Sequence, residues 1–248
     1  CNYSSESYVI CCPCCNFNLI MIKDAKQIAY PLTGYFSKLV SDYLEANQNI
    51  VPFYTHPPNL EGIKEAIAAR NNFNTPRAAL VEALIAQYQS ISSTELVNTN
   101  IASLGLADTY TITTAHQPNL LTGPLYFIYK IAHTVALAKS LQKQIPEANF
   151  VPVYYMGSED ADLDELGFIT VGGQKLVWET NQKGAVGRML VDAKLIALIK
   201  QVEGQISVSS QGASWVSILK ETFTVGKTIA QATLEIVHHL FGEYGVVI

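Results

Sequence analysis

A chain of 248 residues, 49% of them hydrophobic and 15% charged, can fill one large interior or two small ones, which argues against a disordered or low-complexity protein. Its net charge of −5 is local: residues 159–165 hold Glu159, Asp160, Asp162, Asp164 and Glu165, and removing these five from the 21 acidic residues leaves as many as the 16 basic ones. A neutral remainder without a basic stripe argues against nucleic acid as a partner, and the acidic window repels phosphate unless a cation intervenes.

All five cysteines, Cys1, Cys11, Cys12, Cys14 and Cys15, fall in the first fifteen residues, without structural-zinc spacing. No basic residues precede the uncharged stretch 7–22 and no small-residue cleavage site follows it, so it does not read as a signal peptide. Residues 1–20 are expected to be extraneous translated sequence, with Met21 as the start. The cysteine-free remainder points to a reducing, cytoplasmic compartment without structural disulfides.

Residues 29–44 place Leu32, Tyr35, Phe36, Leu39, Val40, Tyr43 and Leu44 at helical spacing, which predicts one amphipathic helix packed on a neighbour. Pro52, Pro57 and Pro58 make residues 51–61 an extended connector, in which His56 reads as incidental. Helices are predicted over 61–71 and 76–89, the second capped by Thr75 with Pro76 in its first turn. Residues 90–104 read as a loop. The expected organisation is an N-terminal helical layer over 21–104 and an α/β part over 105–248.

The α/β part opens on residues 109–144, the stretch around which the chain is organised. Residues 109–114 alternate β-branched and aromatic side chains without charge, the pattern of an internal strand. His116, Gln117, Pro118 and Asn119 then break the pattern. Thr122 as N-cap and Pro124 in the first turn predict a helix running to Gln144. Its free N–H groups would point at the loop, so a histidine, an amide and a helix N-terminus meet where an anionic or carbonyl-bearing ligand could bind. A plain connecting loop with a hydrogen-bonded histidine fits the same residues. The longest uncharged window, 109–129, holds Pro118, Pro124 and His116 and cannot cross a membrane as an unbroken apolar helix, so no membrane partner is expected.

Residues 150–156 are a second apolar strand, completing a parallel βαβ unit whose C-terminal rim would carry both the His116 loop and the loop 157–166. The five carboxylates of that second loop are solvated, cap a helix, or hold a cation or an amine. They lack the glycine and distal glutamate of a calcium loop. Magnesium would need only one or two of them plus a nucleotide phosphate, so no metal ligand set is assigned. A β-hairpin over 168–180 turns at Gly172 and Gly173. In the glycine-rich stretch 181–189, Lys183 and Arg188 are candidate anion or carboxylate contacts, or simply solubilising charge. Asp192 caps a helix to about residue 202, and two more fit 213–223 and 226–241, the last ending in His238 and His239. Residues 241–248 read as a helix end, a glycine turn and the start of a buried strand, so the sequence is expected to be a fragment.

Together, HQPNLLTGPLYFIYK, VPVYYMGSEDADLDEL and GAVGRM resemble the bacillithiol biosynthesis cysteine-adding enzymes, with similarity from about residue 29 to 248. The resemblance implies a Rossmann-like, nucleotidylyltransferase-like parallel sheet and considerably longer members whose remaining part holds a dimerising coiled coil. It implies a ligase forming the carbon–nitrogen bond between cysteine and glucosaminyl malate, active as a homodimer at full length, with ATP as the expected activator. His116, Gln117, Asn119, Thr122 and Gly123 would line its pocket, and Glu159, Asp160 and Asp162 its acidic wall. His116 and the helix N-terminus would stabilise the activated carboxyl, while Glu159 or Asp160 would hold or deprotonate the amine. The chain departs from many members at Ala161 and at Gly167–Phe168, where those carry histidines. The competing expectations are a nucleotide-binding module without chemistry and an inactive fragment.

Overall fold

The computed structural model describes residues 28–207 and 211–248, so the expectations for residues 1–20 and Met21 lie outside the described residues. The chain divides into two compact units, the first ending at Ala69 and the second spanning Arg70–Ile248.

In the first unit, residues 29–44 are not one helix. Helix α1 (Tyr30–Thr33) stops at Gly34 with φ 69°, and α2 (Lys38–Leu44) starts afresh with the Ser37 side chain accepting from the Val40 amide. A glycine in the left-handed region ends a helix at little cost, and an N-cap serine starts the next, so local signals override the apolar period. The residues that carried the period remain exposed, Leu32 at 81% and Tyr35 at 91%. A 3-10 turn, Val51–Phe53, and α3 (Leu60–Arg70) come next, and His56 Nδ1 lies 3.3 Å from Glu65 Oε2 at the surface.

In the second unit, α4 (Arg77–Tyr88) begins one residue later than expected, with Pro76 at the cap. Residues 95–103, expected as loop, form α5 (Glu95–Ser103): Thr94 accepts from the Val97 amide, Glu95 sits in the first turn, and Val97 and Ile101 are buried on one face. Arg77 ties α4 to the chain beyond α5, donating to the carbonyls of Leu104 at 2.9 Å and Thr109 at 3.0 Å.

Strands β1 (Thr109–His116) and β2 (Asn149–Met156) pair in parallel, Thr109 opposite Asn149 through His116 opposite Met156, and α6 (Leu125–Gln144) connects them. Phe127, Ile131, Val135, Ala138 and Leu141 recur every three or four residues and bury one face of α6. Where residues 241–248 were expected to end in the start of a buried strand, the single residue Val247 bridges Val153 in parallel, donating to Pro152 O and accepting from the Tyr154 amide. Beyond β2, a short helix α7 (Leu163–Leu166) leads into the hairpin β3 (Phe168–Val171) and β4 (Gln174–Val177). Gly172 and Gly173 turn it with φ of 56° and 80°, as a two-residue hairpin loop demands.

Helices α8 (Ala193–Ile206), α9 (Gly212–Thr222) and α10 (Ile229–Phe241) complete the unit. Asp192 caps α8 as expected, and α8 runs past residue 202. Helix α10 starts at Ile229 behind a Thr228–Gln231 capping box, three residues inside the expected start. One core joins α6, Tyr154, the hairpin and α8–α10; a second joins Tyr88, Val97, Ile101 and Leu104 to Val151, Leu234 and Val247. His238 is buried, which holds its imidazole below the usual range, so of the two terminal histidines it does not serve as a cation for the α10 dipole. No described helix is long and apolar enough to cross a membrane.

Candidate active site

The two rim loops meet because register forces them to. With His116 opposite Met156, both strands end at one level, and the His116 carbonyl accepts from the Gly157 amide and from the Tyr154 hydroxyl, each at 3.0 Å. The loop continues through Leu120, whose amide donates to Leu166 O at the far end of the acidic segment. Gln117 Nε2 donates to Asp160 Oδ2 at 3.0 Å, joining the two loops through side chains. The 181–189 stretch joins from a third side: the Val186 amide donates to Asp160 O at 2.7 Å. Gly187 lies so close to Ser158 that a Cβ there would stand 2.5 Å from its carbonyl oxygen.

Between His116 and α6 the chain makes a tight turn. Leu121 has φ 57° although it carries a side chain, and Gly123 has φ 60°. A Cβ on Gly123 would stand 2.6 Å from Asn119 Cβ, so the turn presses its backbone onto that buried amide. Thr122 does not cap α6. Pro124 occupies the cap position with no side-chain bond, and the helix starts at Leu125, because the left-handed residues 121 and 123 cannot be helical.

His116 is 9% exposed and both its ring nitrogens have near neighbours. Nε2 lies 3.1 Å from Tyr126 Oη; Nδ1 lies 3.0 Å from Gln117 O and 3.0 Å from Asn119 Nδ2. Burial holds the imidazole below its usual range, with the nearby Lys130 acting in the same direction against the Gln117 carbonyl and Glu165. It is therefore neutral at neutral pH. Lys130 itself donates to Ala115 O.

The acidic loop is organised by its own backbone. Asp160 accepts from the Asp162 amide at 2.9 Å as well as from Gln117, and these bonds hold its carboxyl below the usual range. Asp162 accepts from the Glu165 amide and caps α7. Glu159 is exposed. Asp160 is thus a fixed anion and a weak base, suited to holding a cation. Among the described residues no group of three or more His, Cys, Asp and Glu is placed to hold a metal ion. Arg188 sits in a 3-10 turn beside the acidic loop, exposed and without an ion pair among the described residues.

A cleft of about 800 Å³ opens beside this corner. Asn119, Thr122, Gly123, Tyr126 and Glu165 form its polar side, and the hairpin with α8, α9 and α10 its apolar side. Of the residues expected at the site, His116, Gln117, Asn119, Thr122, Gly123 and Asp160 are brought together. Asp162 is engaged in capping, and Glu159 and Arg188 stand at the solvent edge. Sequence reasoning missed Tyr126 and Lys130, and named Glu165 only among the five carboxylates of the acidic loop. Only Tyr126 carried a signal, its place in the first turn of the helix after the His116 loop.

The chain matches the family described as bacillithiol biosynthesis BshC, N-terminal Rossmann-like domain, over residues 23–248. It is 40% identical over 224 residues to the "Putative cysteine ligase BshC" of Flavobacterium psychrophilum, covering 89% of this chain and 42% of that protein. It is 40% identical over 215 residues to the protein of the same name from Cytophaga hutchinsonii, covering 86% and 39%, and 29% identical over 223 residues to that of Natranaerobius thermophilus, covering 86% and 41%. The chain spans less than half the length of these curated relatives.

Proposed function

The chain belongs to the BshC family of bacillithiol biosynthesis, within its N-terminal Rossmann-like domain, and from that premise we propose that it carries the site at which cysteine is joined to glucosaminyl malate through an amide bond. The observation that carries the reading is Asp160, on which three separate segments converge: its own loop, Gln117 from the end of β1, and the backbone of Val186. A carboxylate held ionised where the two rim loops meet suits the ammonium group of cysteine or the amine of the sugar, and Glu159 adds negative charge beside it. The neutral His116 and the start of α6 face the same corner, where the acyl oxygen gains charge as the amine attacks.

ATP would supply the activation of the cysteine carboxyl that amide formation requires. The residues fit it in two respects. The Leu125 and Tyr126 N–H groups lie ahead of the first backbone bond of α6, from Phe127 to Pro124 O, and suit a phosphate or carboxylate, and a cleft of about 800 Å³ adjoins them. Gln117, Asn119, Thr122 and Gly123 then orient the substrates, and Arg188 meets a carboxylate at the solvent edge. The coiled coil and the homodimer belong to the longer protein of this reading, which acts in the cytoplasm.

Its test is turnover of cysteine and glucosaminyl malate by the full-length encoded protein against Asp160→Ala and Gln117→Ala. Both variants are expected to fall by one to two orders of magnitude, roughly the loss of a charged hydrogen bond, with unchanged circular dichroism. Turnover equal to the parent in both would remove the loop junction from the reaction.

A further inference from the structure

We infer that Tyr126 and His116 together are the base of this corner: Tyr126 Oη takes a proton from the attacking amine as its own proton passes to His116 Nε2. The role rests on the amide-forming reading above and supplies a step it requires, because the amine must lose a proton as the amide forms. Asp160, already accepting from the Asp162 amide and from Gln117, is a weak base. An imidazole is a stronger base than a carboxylate, and burial keeps that of His116 unprotonated at neutral pH.

The hydrogen bonds give each proton its place. A carbonyl oxygen only accepts, so Gln117 O, 3.0 Å from His116 Nδ1, puts the ring proton of the neutral imidazole on Nδ1. The second lone pair of that oxygen takes Asn119 Nδ2 at 3.2 Å, which sets the two donor nitrogens side by side, 3.0 Å apart. Nε2 is then an acceptor, and the Tyr126 hydroxyl 3.1 Å away donates to it. Among the described residues the tyrosine oxygen makes no other hydrogen bond, so its lone pairs remain open. Tyr126 is half exposed and borders the cleft beside Asn119 and Gly123, whereas His116 is buried. A substrate N–H in the cleft meets the phenol oxygen first and reaches the imidazole only through it.

As the amine nitrogen bonds to the activated acyl carbon, the carbonyl π pair moves onto oxygen and the nitrogen, now positively charged, becomes strongly acidic. Its proton passes to Tyr126 Oη while the phenol proton passes to His116 Nε2. A neutral tyrosine and an imidazolium result, and Nδ1–H still donates to Gln117 O. Glu165 favours that cation and Lys130 opposes it. The oxygen pair then returns to form the amide carbonyl, and the activating group leaves with the electrons of its bond to carbon. The imidazolium gives its proton back along the same path, to the leaving group or to water. Proton transfer by positioned side chains contributes a factor of about 10² to 10⁴.

The experiment has two arms on the full-length encoded protein. Histidine ¹⁵N chemical shifts at neutral pH, read without turnover, are expected to show His116 protonated on Nδ1, with the bare Nε2 resonance moving in Tyr126→Phe as its hydrogen bond is lost. A proton on Nε2, or an Nε2 resonance indifferent to Tyr126→Phe, overturns the relay whatever the reaction. In the kinetic arm, Tyr126→Phe is expected to lower kcat by about 10² to 10⁴ with KM little changed. His116→Gln on that background should add less than about threefold, because the two act as one unit. The parent's kcat should fall on the acid side as His116 takes a proton, and this limb should be absent in Tyr126→Phe and in His116→Gln. The other titratable groups around the ring, Lys130 from α6, Glu165 from α7 and Tyr154 from β2, are intact in both variants, so a limb of theirs would survive. Undiminished kcat in Tyr126→Phe, a full further loss from His116→Gln, or a surviving limb overturns the role alone. Parent protein that makes no product overturns the reaction and this role together.

Discussion

Replacing Gly123 by alanine tests the turn that holds the site together. The new Cβ would stand 2.6 Å from Asn119 Cβ and 2.7 Å from its Cγ, at a φ of 60°. The left-handed backbone costs a non-glycine residue about 1–2 kcal/mol, and overpacking a tight contact adds about 1–3 kcal/mol. The expected loss is therefore about 2–5 kcal/mol. Gly173→Ala is the matched control: φ is 80° but a Cβ there meets nothing within 4 Å, so only the backbone cost of about 1–2 kcal/mol applies. Urea denaturation of both variants, at unchanged m, reads the difference directly. Gly123→Ala should also lower turnover more than Gly173→Ala, because Asn119 must move away from His116. Equal destabilisation by the two substitutions would refute the contact between the turn and Asn119.

Asp192 accepts from the Leu195 amide, from Trp178 Nε1 at 2.9 Å and from Thr180 Oγ1, so Asp192→Ala should cost about 1–3 kcal/mol by removing a helix cap and orphaning a buried indole N–H. Burial would raise the Asp192 carboxyl, but these bonds outweigh it and hold the group below the usual range; its stabilisation is present above the unfolded value near 3.9 and lost as pH falls through the folded one. A pH titration of stability in which Asp192→Asn kept the parent's acid slope would contradict this. His116 and His238 are both lowered by burial, so their contribution is full above about pH 6.5 and declines as acid forces a proton onto the folded chain. Stability from urea curves should fall between pH 7.5 and 5.5, with a shallower slope in His238→Leu; an unchanged slope would refute it. Tyr88 Oη accepts from the Ile248 amide, and Tyr88→Phe should cost about 1 kcal/mol in the same assay, no loss contradicting it.

How much of this was legible in the sequence depended on where the deciding interaction lay. Strands β1 and β2 and the hairpin read correctly because alternation and the Gly172–Gly173 pair are local signals. The end of α6 at Gln144 read correctly too, but its start did not: Thr122 looks like a cap, and only the left-handed Leu121 and Gly123 show that the chain turns once more first. Helix α5 was hidden because its buried residues face β2 and α10, a surface the sequence does not display. The split of residues 29–44 turned on Gly34 and Ser37, local signals outweighed in the reading by a misleading apolar period. At the site, the residue types of the two loops marked where polar groups gather, but their junction through Gln117 and Asp160 follows from strand register. Tyr126 stood in plain view and was read as part of a helix, since its contact with His116 spans ten residues.

The central claim is that this corner serves amide formation between cysteine and glucosaminyl malate. Mass spectrometry of the full-length encoded protein incubated with cysteine, glucosaminyl malate and ATP measures it most directly. The account predicts the cysteinyl amide, dependent on ATP and lost in His116→Ala with the fold intact. A folded parent protein that yields no amide with any nucleotide would contradict it, and ATP binding by that same protein would identify a nucleotide-binding module instead.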